Sequence, residues 1–182
     1  MVNERLFISK RYLERIENNY IKSRHVERYA VVRQYCYGVV ADIACGSGYG
    51  SFLISKNPDV KKVIGIDSDK KIIKFAKRKY KKNNVEFHCM DMEDYGNQID
   101  TLVSVETIEH LQEKEKLHNL ARRVNAKRII ITFTTKKTTH YNPYHLWDFT
   151  FDDIHNIFFG MYSKIYKQFE VWNEVGVIVY DI

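Results

Sequence analysis

Proline is almost missing from this chain. Only Pro58 and Pro143 occur in 182 residues, which leaves no proline-rich linker at which to divide the sequence. Cysteine is scarce too: Cys36, Cys45 and Cys89 lie far apart and form no CxxC pair. That speaks against a zinc site or a disulfide framework and makes a reducing, cytoplasmic setting the expectation. No apolar run approaches the length of a membrane span. Met1 to Lys10 carries charges without a continuous apolar stretch, so no secretory signal is expected. Repeats and low-complexity segments are lacking as well. The reading is one domain over residues 1–182, with residues 1–37 as an N-terminal helical cap and no membrane partner.

What is present describes a globular chain: 45% hydrophobic and 29% charged residues. The net charge of +6 is unevenly placed. Residues 61–82 hold ten Lys/Arg against Asp67 and Asp69, a local +8, so the remainder carries about −2. Most of the excess falls on one expected helix, Asp69 to Lys82, with Ile72, Phe75, Ala76 and Tyr80 as its buried stripe. A solvated face and a polyanion contact both stay open for its outer side.

The chain alternates strands and helices. Helices are expected over Ser9–Asn18, His25–Tyr37, Tyr49–Lys56, Asp69–Lys82, Glu106–Val124 and Thr150–Phe159. Strands are expected over Val39–Ile43, Lys62–Ile66, Val85–Cys89, Thr101–Val105 and Arg128–Phe133, and a closing hairpin over Lys164–Trp172 and Glu174–Asp181. This pattern implies an α/β fold: a doubly wound, mostly parallel Rossmann-like sheet with an antiparallel C-terminal hairpin edge.

The stretch from Val39 to Gly50 organises the rest. A β-rich run feeds into Gly46, Gly48 and Gly50, and Ser51-Phe-Leu-Ile continues as a helix. Such a turn lets backbone approach a ligand and presents N–H groups above the strand tip. Ligands of doubly wound sheets sit beyond the carboxyl ends of the strands. There Asp42 to Gly48, Asp67, Asp91 and Glu106 converge. Asp67, about 20 residues past the glycines, is placed for both ribose hydroxyls, and Asp91 for an adenine amine. The register of Gly46-Ser-Gly48-Tyr-Gly50 is not the dinucleotide GxGxxG, and no GxxxxGK[ST] occurs, which excludes a P-loop.

Asp42-Ile-Ala-Cys-Gly-Ser-Gly48, Ile64-Gly-Ile-Asp67 and Asp91-Met92 resemble, in order, the first three motifs of the class I S-adenosylmethionine-dependent methyltransferases. The likeness runs over about residues 9–160, and the terminal hairpin matches that family's reversed seventh strand. Ala44 stands where the family usually has glycine. The resemblance implies S-adenosyl-L-methionine as cofactor. Its methionine moiety would lie against the turn of Asp42, Ala44, Gly46 and Gly48, its ribose on Asp67 with Ser68, and its adenine near Asp91 and Met92, with Glu106 at the neighbouring tip.

Val105-Glu-Thr-Ile-Glu-His-Leu111 is the second informative stretch. On a helix, Glu106, Glu109 and His110 share one face, beside the methyl group. His145, in Asn142-Pro-Tyr-His, arrives from the opposite wall. Two carboxylates and two imidazoles suit a hard divalent cation, Mg2+ or Mn2+, held by Glu106, Glu109, His110 and His145. This set resembles the metal site of small-RNA 3′-terminal 2′-O-methyltransferases, except that Leu111 replaces their second histidine. The Glu-x-x-Glu-His run also resembles that of ubiquinone-biosynthesis O-methyltransferases. Asn142-Pro-Tyr-His, Phe149-Thr and Arg24-His-Val-Glu-Arg-Tyr resemble small bacterial and phage methyltransferases linked to glycan modification. Metal-free catalysis, with His110 or His145 as general base and Glu109 beside them, is the alternative. A purely structural role, Glu106 capping a helix, is the third reading.

Tyr141, Tyr144, Trp147 and Phe149 could wall an acceptor pocket or simply pack. His25, His88, His118 and His155 read as ordinary histidines, and Cys45 as an apolar filler. The amino-methyltransferase tetrad of DNA enzymes belongs at the fourth strand's tip, which here reads Glu-Thr-Ile-Glu, and that argues against DNA bases. The expected function is O-methylation of a small-molecule or glycan hydroxyl, metal-assisted or not. The alternatives are 2′-O-methylation of RNA and a methyl-donor-binding, non-catalytic subunit that needs a protein partner.

Overall fold

The computed structural model describes residues 9–182, the side chain of Tyr12 excepted. Helix α1 spans Lys10–Val32 without interruption and ends in a 3-10 turn, Arg33–Tyr35. Two separate helices were expected here. The intervening Asn19 to Arg24 contains neither glycine nor proline, so nothing stops the first helix from running into the second. The part of the N-terminal cap before Ser9 lies outside the described residues.

Seven strands follow: β1 Gly38–Ile43, β2 Val60–Asp67, β3 Val85–Cys89, β4 Thr101–Val105, β5 Arg128–Thr134, β6 Lys164–Val171 and β7 Val175–Asp181. Between them lie α2 Tyr49–Ile54, α3 Lys70–Lys79, α4 Lys116–Arg123 and α5 Phe151–Ile157. The sheet order is β3-β2-β1-β4-β5-β7-β6. Strands β1 to β5 pair in parallel, β7 runs antiparallel to β5, and β6 antiparallel to β7. The strand order reverses between β1 and β4, so the crevice opens above the ends of those two strands.

Alternate residues feed the two faces. Val40, Val63, Val103, Ile130 and Val179 pack with Tyr29 and Val32 of α1 and Ile54 of α2. Ala41, Ile64, Leu102, Ile129 and Ile178 pack with Leu117 and Leu120 of α4 and Ile154 of α5. Helix α3 turns Ile73 and Ala76 onto Phe87 and Cys45. Its buried stripe is therefore Ile73 and Ala76; Ile72 and Phe75, expected inside, remain 36% and 39% exposed. Trp172 and Asn173, both at positive φ (53° and 55°), close the β6–β7 hairpin. Among the described residues no helix is long and apolar enough to cross a membrane.

The stretch expected as one helix from Glu106 to Val124 is broken. Glu106 leaves β4 with φ at 49°, a three-residue 3-10 turn covers Ile108–His110, and α4 begins only at Lys116. Glu106, Glu109 and His110 therefore do not stack on a helical face.

Candidate cofactor and acceptor site

One wall of the crevice is built by the turn after β1. Gly48 caps α2 with φ at 86°, and a Cβ there would come within 2.7 Å of the Phe87 ring. At Gly50 a Cβ would meet the Tyr29 ring at 2.1 Å, so only glycine lets α1 close onto this turn. Ala44 holds φ at 54°, a left-handed conformation that costs an L-residue about 1 kcal/mol. The position usually given to glycine is thus strained here.

Asp42 lies inside β1, with no exposed surface. Its carboxylate accepts the Ser51 hydroxyl at 2.6 Å and the Tyr29 hydroxyl at 3.2 Å. Burial pushes its pKa up to about 7 against the pull of those two donors. As placed, Asp42 ties α1 and α2 to the sheet beneath the turn, and it does not face the open cavity. Asp67 does the bracing above. Its two oxygens accept the N–H groups of Gly46 at 3.0 Å and Asp69 at 2.9 Å, which leaves lone pairs free on each. Asp91 accepts the Glu93 N–H at 2.9 Å and so starts the 3-10 turn Met92–Asp94.

A cavity of about 190 Å³ opens between these tips, lined by Ala44, Ile66, Asp67, Ser68, Met90, Asp91 and Met92. Five of the residues read from the sequence as cofactor-binding meet there. Ile66 and Met90 were not singled out, although each is the chain neighbour of a chosen residue, Asp67 and Asp91. Gly46 and Gly48 lie in the adjoining turn; Asp42 and Glu106 are not part of this lining.

The other wall rises from β4 and β5. Glu106 donates its N–H to Thr132, and its carboxylate accepts the Thr132 hydroxyl at 2.9 Å and pairs with Arg28 of α1 at 3.5 Å. Burial raises the Glu106 carboxyl, opposed by Arg28 and then Thr132. Glu109 is 1% exposed. One of its oxygens accepts the Thr134 N–H at 3.3 Å and the other has no partner. Burial raises its pKa, and the neighbouring Glu106 raises it further. Arg28 Nε is likewise buried without a partner. Neither Arg28 nor Thr132 was chosen from sequence. Thr132 carried a signal, a lone hydroxyl inside the apolar run of β5; Arg28 stood in the Arg24-His-Val-Glu-Arg-Tyr run, quoted for its resemblance and given no role.

The loop after β5 packs onto this wall. Leu146 N–H donates to the Glu109 carbonyl at 2.8 Å, and Trp147 Nε1 to the Leu111 carbonyl at 2.7 Å. Asp148 receives the Thr138 and Thr139 N–H groups and the Thr139 hydroxyl, which hold its carboxyl below the ordinary range. These bonds set His145 edge-on against His110, ring centroids 4.7 Å apart. His110 Nδ1 donates to the Tyr144 carbonyl at 2.8 Å, leaving Nε2 as its basic atom. His145 Nδ1 bonds the Thr138 hydroxyl at 2.6 Å, and burial with the nearby His110 lowers its pKa. Of the four aromatics, Phe149 is core and Trp147 half-buried, whereas Tyr141 and Tyr144 are exposed.

The expected cation set does not assemble. Among the described residues no three His, Cys, Asp or Glu side chains gather closely enough to hold a metal ion. Glu106 is turned to Arg28 and Thr132, and Glu109 is sealed under the loop. Only the two histidines face each other. As arranged, the set does not fit Mg2+ or Mn2+.

Residues 40–127 match the family model of a methyltransferase domain. That match and the structural neighbours support a class I S-adenosylmethionine-dependent methyltransferase. Its relatives vary in acceptor. A protein of Invertebrate iridescent virus 6, provisionally named a methyltransferase, is 28% identical over 155 residues, 74% of this chain and 58% of its own. The mitochondrial ubiquinone biosynthesis O-methyltransferase of Saccharomyces cerevisiae is 30% identical over 53% of this chain and 33% of its own. Phosphoethanolamine N-methyltransferase 3 of Arabidopsis thaliana is 39% identical over 43% and 17%. The methyltransferase chain thus spans between 17% and 58% of the length of these curated relatives. Magnesium protoporphyrin IX methyltransferase from Synechocystis PCC 6803, solved with bound S-adenosylhomocysteine, superposes with a TM-score of 0.67 over 97% of this chain and 89% of its own. At 18% identity it shares the fold.

Proposed function

We propose that the methyltransferase transfers the methyl group of S-adenosylmethionine to an acceptor hydroxyl, with His110 as general base. The observation that carries this reading is the tautomer of His110: its Nδ1–H is committed to the Tyr144 carbonyl, so the Nε2 lone pair faces away from that bond. When bound, S-adenosylmethionine supplies a methyl carbon on a sulfonium sulfur and is released as S-adenosylhomocysteine. Asp67 would accept the ribose hydroxyls on its free lone pairs, Asp91 and Met92 would border the adenine, and the turn from Ala44 to Gly48 would hold the methionine end. His110 Nε2 would take the hydroxyl proton as the oxygen–carbon bond forms. His145, kept neutral by burial and by His110, would hold that ring in place. Arg28 would neutralise the buried carboxylates without entering the chemistry.

The exposed Tyr141 and Tyr144 beside the histidines suit the ring of a small molecule or glycan. The name of the yeast relative supports oxygen as acceptor atom; that of the plant relative supports nitrogen. A second reading, ribose 2′-O-methylation of RNA, is favoured by one observation, the cations on the outer face of α3.

Two variants test the reading. Asp67→Ala should weaken S-adenosylhomocysteine binding about 30-fold by calorimetry, from the loss of charge-assisted hydrogen bonds; unchanged affinity would contradict the ribose placement. His110→Asn should cost about 100- to 10,000-fold in turnover on a panel of hydroxyl acceptors while cofactor affinity holds. Full activity in that variant would remove His110 as base. Cofactor binding without turnover on any acceptor would instead favour a binding subunit.

A further inference from the structure

We propose that the outward face of α3 is a docking surface for single-stranded RNA. Lys71, Lys74, Phe75 and Arg78 recur at i, i+3, i+4 and i+7, so they share one face of the helix. All four are exposed, and Phe75 sits at the centre of the cations at 39% exposure. Lys70, Lys77, Lys79 and Lys81 flank them. Elsewhere in this basic segment Lys62 pairs with Glu86, and Lys82 donates to the Ser55 carbonyl. On the outer face of α3, among the described residues, no ion pair forms.

Stability does not account for this arrangement. Cations in the last turn, Lys77, Arg78 and Lys79, suit the helix dipole, but Lys70 and Lys71 sit in the first turn against it, where the capping Asp69 supplies one carboxylate, spent on the Lys71 and Ile72 N–H groups. Lys70 with Lys74, and Lys74 with Arg78, are like charges four residues apart and repel. A polyanion relieves both conditions. A membrane surface does not fit. The side an interfacial helix would insert, Ile73 and Ala76, is already packed on Phe87 and Cys45. An aromatic ring amid cations is the usual platform for a stacked base, which favours a nucleic acid over an acidic polysaccharide. The choice of RNA over DNA rests on the second reading above, ribose 2′-O-methylation, because only RNA carries the 2′-hydroxyl. Helix α3 starts beside the cavity, with only its N-cap Asp69 between it and Ser68, so a strand lying along it leads to the cofactor's edge.

Ten helical residues span about 15 Å, the length of about four stacked phosphates. The test is fluorescence anisotropy of a labelled 12-nucleotide oligoribonucleotide, read without turnover so that failure of the His110 proposal leaves it unaffected. Affinity should fall about 50-fold between 50 and 200 mM salt. The triple variant Lys71→Glu, Lys74→Glu, Arg78→Glu should lose at least 30-fold and flatten the salt dependence. Phe75→Ala should lose about 10-fold at any salt. S-adenosylhomocysteine affinity should be unchanged in both, which shows that the fold around the cavity is intact. Undiminished binding by the triple variant would overturn the proposal. So would equal affinity for polyphosphate, for phosphatidylserine vesicles or for the matching deoxyoligonucleotide, and so would an unaltered Phe75→Ala.

Discussion

Asp42, beneath the glycine turn, and Glu109, behind the acceptor loop, are both carboxylates withdrawn from solvent, at 0% and 1% exposure. They are completed differently. Each oxygen of Asp42 has a hydroxyl donor, from Ser51 and Tyr29. Glu109 has one long bond from Thr134 and an oxygen with nothing. On the cofactor wall the buried charge is saturated by short-range architecture, a strand, its turn and the helix after it, with Tyr29 added from α1. On the acceptor wall charge balance depends on Arg28, an arginine from α1 that is far away in sequence. A saturated acid is a structural tie. An unsaturated one depends for its charge state on burial and on the carboxylate beside it, Glu106.

The largest expected effect breaks this difference outright. Arg28→Ala should destabilise the fold by roughly 3 kcal/mol, because Glu106 and Glu109 are left buried without their cation. Urea unfolding of Arg28→Ala against Arg28→Ala/Glu106→Gln checks it, since the double variant should recover most of the loss. A single variant as stable as the wild type would mean that the two carboxylates are already neutral.

A smaller effect compares the two acids directly. Both have raised folded values, so below the ordinary carboxylate range both states are protonated and stability is complete. As pH rises, the unfolded chain releases these protons first, and stability falls until the folded Asp42 ionises near pH 7. Denaturation from pH 4 to pH 8 should show a decline of roughly 2 kcal/mol. At pH 8, Glu109→Gln should stabilise by about 1 kcal/mol, since an amide replaces the unpartnered oxygen, whereas Asp42→Asn should destabilise by about as much. Equal responses would erase the distinction between the walls.

The smallest effect sharpens the cofactor wall alone. Ala44→Gly should gain about 0.5 kcal/mol, because relief of the left-handed strain exceeds the added chain entropy. A thermal melt that moves down instead would show that Ala44 packs more than it strains.

The cofactor wall was legible because its information is local. Asp67 ends a strand that its apolar run Val63 to Ile66 marks, and Gly46 to Gly50 announce the turn. The acceptor wall was misread at one point. Glu106-Thr-Ile-Glu-His has helical spacing, but the Glu106 N–H is tied to the Thr132 carbonyl and hydroxyl and its backbone sits at φ 49°, and spacing carries no trace of that cross-strand contact. The α3 stripe slipped by one position for a related reason. Ile72 and Ile73 are equivalent in composition, and only packing against Phe87 and Cys45 selects Ile73.

The sequence by itself determined the order of strands and helices, the position of the glycine turn and the carboxylates at the ends of β2 and β3. Those properties follow from periodicity and from backbone conformations that few residues tolerate. Only the tertiary structure decided that Asp42 is a buried tie, that Arg28 meets Glu106, and that His110 faces His145 while the expected cation set stays apart. These depend on contacts between segments distant in the chain. Burial then sets the charge of each group, and burial is a property of the assembled fold.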